Sequence, residues 1–77
     1  MQYHVTAVDI ELGVSGNPEL CPIALAIQRV HPGAEVQVWP AGIHIDYRFH
    51  PTPSIVHRFI SDFDNALDVE PILFDLA

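Results

Sequence analysis

No lysine occurs among the 77 residues, and three arginines stand against ten carboxylates, leaving a formal net charge of −7. That imbalance excludes a protein that tracks nucleic-acid phosphates, which needs clustered Lys and Arg. The same field repels an anionic membrane and steers the chain toward basic surfaces. Cysteine is equally scarce. Cys21 stands alone, so no intramolecular disulfide can form and nothing argues for an oxidising compartment. The start, Met1-Gln2-Tyr3-His4, lacks the basic residues and apolar run of a secretory signal. No apolar stretch nears the ~20 residues that a membrane span requires. A cytoplasmic protein is expected. Also missing are a Gly-rich phosphate loop, a Walker pattern, a Ser/His/Asp signature and any His-x3-His pair.

What is present is a foldable core. Apolar residues make up 49% of the chain, too many for a disordered acidic tail. Residues 1–77 form a single domain by any length prior. A domain of this size hides only ~60% of its unfolded surface. Little mass is left for a deep catalytic pocket, so a non-enzymatic protein without a cofactor is expected.

Periodicity places the elements. Gln2 to Thr6 alternates as a short strand. Thr6-Ala7-Val8-Asp9 has capping-box spacing, with Asp in place of Glu. This predicts a short helix from Ala7 to Leu12, closed by Gly13. Gly13, Ser15, Gly16, Asn17 and Pro18 mark a loop. Pro22 suits the first position of a second helix, whose stripe is Ile23, Leu25, Ala26, Ile27 and Val30.

Glu35–Trp39 and Ile43–Phe49 alternate about a Pro40-Ala41-Gly42 turn and read as a hairpin. In the second run Ile43, Ile45, Tyr47 and Phe49 share one face, with His44, Asp46 and Arg48 on the other. Thr52-Pro53 predicts an N-cap and first helical residue, followed by Ile55, Val56, Phe59, Ile60 and Phe63 at helical spacing. Glu70-Pro71 opens a last extended run through Leu76. The order is β-α-α-β-β-α-β. The expected α+β fold is a small mixed or antiparallel sheet of three to four strands, with helices packed on one face.

Candidate chemistry is sparse. Cys21 precedes a helix start, where the dipole lowers a thiol pKa, yet Glu19 beside it is an acid and no base is near. Its other reading is a small apolar residue at the helix entry. His44 and Asp46 lie about 7 Å apart along one strand, with His50 on the same face by parity. One strand cannot wrap a tetrahedral ion, so a solvated sheet face is the alternative and no metal is expected. A small enzyme or metal protein using Cys21 or the histidines is the weakest reading.

The carboxylates carry more. Asp62, Asp64, Asp68, Glu70 and Asp75 all follow Arg58, and no basic residue follows it. Asp62 and Asp64 are two apart on a helix and do not face each other. Glu19 and Glu35 add acid in the first half of the chain. Carboxylates along a helix and its exit can imitate a run of phosphates and occupy a Lys/Arg groove built for nucleic acid. Alternatively they form a solvated face that only keeps a small domain soluble.

The phrase Asn17-Pro18-Glu19-Leu20-Cys21-Pro22-Ile23-Ala24-Leu25-Ala26-Ile27 resembles one that recurs in small phage and prophage proteins of uncharacterised function. The segments Phe59–Asn65 and Val69–Leu76 resemble the C-terminal part of the same group. In size and charge the chain is similar in type to anti-CRISPR inhibitors and DNA mimics. That resemblance implies a monomeric, phage-encoded inhibitor in the host bacterial cytoplasm. It would bind a type I CRISPR effector through an acidic, DNA-mimicking surface and block target DNA binding. The partner-binding residues would be Asp62, Asp64, Asp68, Glu70 and Asp75, helped by Glu19 and Glu35. A phage accessory protein that docks through the exposed sheet face around Trp39, His44 and Arg48 is the competing expectation.

Overall fold

A computed structural model describes residues 1–76. The elements in chain order are β1 (Gln2–Val5), α1 (Ala7–Leu12), α2 (Pro22–Val30), β2 (Val36–Trp39), β3 (Gly42–Ile45), β4 (Arg48–Pro51), α3 (Ser54–Asp64) and β5 (Ile72–Asp75). The fold is α+β, and the predicted order is followed with the hairpin's second strand divided into β3 and β4. The strands form two antiparallel groups rather than one sheet: the ribbon β1-β5 and the meander β2-β3-β4.

Helix α2 joins the two groups, packing against both β1 and β2. Its Pro22, Ile23, Ala24, Ala26 and Ile27 are buried. Ile23, Ala24, Ala26 and Ile27 meet Val5 of β1, Ile43 of β3, Val56 of α3 and Phe74 of β5 in one core cluster. The ribbon pairs Tyr3 with Phe74 and Val5 with Ile72. Met1 and Leu76 exchange backbone bonds beyond it, each at 3.1 Å.

Helix α1 forms as the capping box requires. Thr6 Oγ1 accepts from the Asp9 N–H at 3.2 Å, and Asp9 Oδ2 accepts from the Thr6 N–H at 2.9 Å. Gly13 ends the helix, but in extended rather than left-handed conformation. It must be glycine because of a close approach: a Cβ there would lie 2.5 Å from the Pro22 ring.

Two local expectations are corrected. The continuous run Ile43–Phe49 is broken at Asp46-Tyr47, whose φ angles are 48° and 70°. Two successive positive φ values suit a tight two-residue hairpin turn. Two hydrogen bonds to the Glu35 backbone hold it: the Asp46 N–H donates to the Glu35 carbonyl, and the Asp46 side-chain Oδ1 accepts from the Glu35 N–H, both at 2.9 Å. The turn reverses the side-chain parity of everything after it. Phe49 now pairs with His44, while Arg48 pairs with Ile45. The Phe49 ring lies across Gly42, where a Cβ would strike it. The predicted Thr52 cap also fails. The Thr52 hydroxyl donates to the Trp39 carbonyl at 2.9 Å, and α3 starts one residue later with Pro53 as an uncapped N-cap.

The exit of α3 shapes the acidic region. The Leu67 N–H donates to the Asp62 carbonyl at 2.9 Å and the Ala66 N–H to the Phe63 carbonyl at 3.2 Å. This is the Schellman arrangement, with Ala66 in left-handed conformation at φ 59°. Glycine favours that position by about 1 kcal/mol. Ala66→Gly is therefore expected to raise the midpoint of thermal unfolding by a few degrees, roughly 4–8 °C per kcal/mol for a domain of this size. A lowered midpoint would show that Ala66 is not held left-handed.

Candidate functional site: an acidic groove and an apolar cleft

The reversal after α3 decides which carboxylates meet. Asp62, Asp68 and Glu70 line one shallow groove, together with Arg58. Its floor is apolar, formed by Phe59, Val69 and Ile72. Asp62 is half-buried, whereas Asp68 and Glu70 are exposed. Three carboxylates against one guanidinium leave the groove negative at neutral pH. Arg58 was expected only as the boundary of the acidic region, and here it stands inside it.

The other predicted acids lie elsewhere. Asp64, two residues from Asp62, faces a different depression. Its Oδ1 accepts from the Ser15 hydroxyl at 3.2 Å and from the Gly16 N–H at 3.0 Å, tying the first loop to α3. Asp75 is exposed on the ribbon opposite Gln2. Glu19 is exposed in the loop before α2, where its N–H donates to Asn17 Oδ1 at 2.9 Å. Glu35 lies at the start of the meander and lines a small hollow with Gln37, His44 and Tyr47. Of the seven predicted carboxylates, the groove gathers three.

On an adjoining face of α3, sharing Phe59 with the groove, is an apolar cleft of about 190 Å³. Trp39 and Pro40 of the hairpin, Cys21 at the start of α2, and Ile60, Phe63 and Asp64 of α3 are among its lining. Burial pushes the Cys21 thiol up, outweighing the backbone donors at the helix start that act to lower it. The thiol is therefore held in its neutral form, the opposite of what a nucleophilic cysteine requires.

The outer face of the meander carries aromatic surface. Trp39 is 47% exposed and Phe49 58%. Phe49 meets His44 edge-on, with ring centres 5.3 Å apart. The face expected around Trp39, His44 and Arg48 is thus altered: Phe49 joins it, Asp46 is taken into the turn, and Arg48 pairs across Ile45. Among the described residues, no three of His, Cys, Asp and Glu come together to hold a metal ion. No helix of the described residues is long and apolar enough to cross a membrane.

A charged pair that the sequence does not advertise sits away from these surfaces. Arg29 on α2 reaches Asp9 on α1 with both terminal nitrogens, at 2.7 and 2.9 Å, and donates to the His4 carbonyl at 2.7 Å. Burial raises the Asp9 carboxyl, but the Arg29 guanidinium and the Thr6 donors outweigh it and hold the group below its ordinary value.

Comparison with family models, with curated proteins and with solved structures returned no match.

Proposed function

We propose that this chain is a non-enzymatic inhibitor that binds a basic, nucleic-acid-accepting surface of a protein partner. The observation that carries the reading is the groove in which Asp62, Asp68 and Glu70 converge. The net charge of −7 and the absence of lysine support it at long range. Charge-assisted bonds from partner arginines to these carboxylates supply the specificity. In its finer form, which the likeness to phage proteins suggests, the partner is a host type I CRISPR effector. The chain, a monomer in the bacterial cytoplasm, then competes with target DNA.

The test is a mobility-shift assay of DNA binding by a purified type I effector, with increasing amounts of this protein. Wild type is expected to displace DNA, more weakly as salt rises. The triple variant Asp62→Lys, Asp68→Lys, Glu70→Lys is expected to need at least about 100-fold more protein, since losing even two bonds to charged groups, at about 1.5–3 kcal/mol each, costs that much. Undiminished displacement by that variant would sink the acidic-groove reading. Asp64 is left unchanged because it anchors the Gly16 loop.

A second reading rests on the exposed aromatic pair Trp39 and Phe49. Exposed aromatics of this kind anchor protein interfaces. The variant Phe49→Ala keeps every groove carboxylate and leaves Trp39 in place, so loss of displacement there, with the triple variant active, would move the interface to the meander.

A further inference from the structure

The cleft between the hairpin and α3 combines three features that the acidic groove lacks. Its wall is apolar, with Ile60, Phe63 and the neutral Cys21 among the lining. An indole stands in the lining, and Trp39 is half exposed. One carboxylate, Asp64, also lines it, and both bonds from the Ser15–Gly16 loop fall on its Oδ1. Oδ2 takes part in neither. At about 190 Å³ the cleft is on the scale of one long side chain rather than a cofactor.

We infer that this cleft is a socket for an arginine side chain of the partner protein, an inference that rests on the proposed binding of a basic partner. Arginine matches each feature in turn. Its methylene stem is apolar and packs along hydrocarbon. Its planar guanidinium stacks on an indole face. Its fork of donors engages a carboxylate whose position is already fixed. Lysine offers the stem and charge but neither the plane nor the fork. A neutral apolar ligand would cover the Asp64 carboxylate without supplying a counter-charge, which costs free energy. The overall charge of −7 draws cations to the cleft and disfavours anions there. The socket and the acidic groove adjoin at Phe59 of α3, which lines both, so one basic segment could be held at two places on the same helix.

The chain's sole tryptophan makes the test direct. N-acetyl-arginine amide, its lysine and citrulline counterparts, and a nona-arginine peptide are titrated into the intact protein. Trp39 fluorescence and the indole and backbone N–H resonances are followed. Arginine amide is expected to shift the Trp39 indole and Gly16 signals saturably, lysine amide about tenfold more weakly, and citrulline amide, equal in shape but neutral, not at all. Asp64→Asn keeps an oxygen acceptor for Ser15 and Gly16 and is expected to weaken arginine amide about tenfold. Citrulline binding as well as arginine would overturn the socket. So would nona-arginine shifts confined to Asp62, Asp68 and Glu70, although that pattern would leave the acidic-partner reading standing. No response to nona-arginine anywhere would remove both.

Discussion

Replacing Arg29 by methionine is expected to remove about 2–4 kcal/mol of folding stability. Methionine preserves the helix propensity and most of the apolar stem of arginine. What it takes away is the partner of Asp9, whose side chain is 5% exposed. A carboxylate buried without its counter-ion typically costs 3–5 kcal/mol. The lower range applies because the Arg29 side chain is 49% exposed, so water screens the pair, and because the Thr6 N–H still reaches Asp9. The thermal midpoint should fall by at least ~10 °C for a domain of this size. The pH dependence should change as well. Asp9 holds its proton less tightly in the folded state than in the unfolded one. Its contribution is therefore fully present above the unfolded value of about 4 and is lost as pH falls through the depressed folded value. In Arg29→Met that acid-side loss should flatten, because the main cause of the depression is gone. Urea unfolding at pH 7 and at pH 3 measures both effects. An unchanged pH 7 midpoint would mean that the pair contributes nothing net.

How much of this was legible follows from the range of each interaction. Helix α1 was readable to the residue because Thr6 and Asp9 cap it within one turn of chain. The second role of Asp9 was not, because Arg29 lies 20 residues away and looks like any solvated helix charge. The meander was misread at Asp46-Tyr47. The pattern from Ile43 to Phe49 alternates without a break, and neither glycine nor asparagine marks the turn. Its cause is the nonlocal double link from Asp46 to Glu35. That turn also moved Phe49 to the exposed face, so one tertiary contact altered the candidate interface.

The acidic site divides the same way. The opposed directions of Asp62 and Asp64 follow from helical geometry and were expected. The gathering of Asp68 and Glu70 beside Asp62 depends on the chain reversal at Ala66. Alanine gives no warning of a left-handed residue, so the convergence was hidden. The socket residues Trp39, Cys21 and Asp64 come from three different elements, and only packing brings them to one cleft.

Ile27→Ala is expected to cost about 3.5–5 kcal/mol, in the upper half of the range for such truncations. Ile27 is fully buried on α2, and α2 packs on both β1 and β2. The two strand groups share no ladder, so this helix face links them. Relaxation into the cavity is limited by the neighbours: Ala24 and Ala26 have no side-chain length to move, and the flanking strands are held in their own ladders. A 77-residue domain has a total stability of roughly 4–12 kcal/mol, so the loss removes a large share of it. Leu25 on the same helix is only half-buried, and Leu25→Ala should cost about half as much or less. Urea denaturation decides the matter: the midpoint should fall while the slope, which reports the surface exposed on unfolding, stays constant. A slope that drops in Ile27→Ala would instead mean that the ribbon and the meander come apart separately. Since Cys21 and Pro22 at the start of the same helix line the cleft, that result would also predict weakened binding of arginine amide without any change in the socket's own residues.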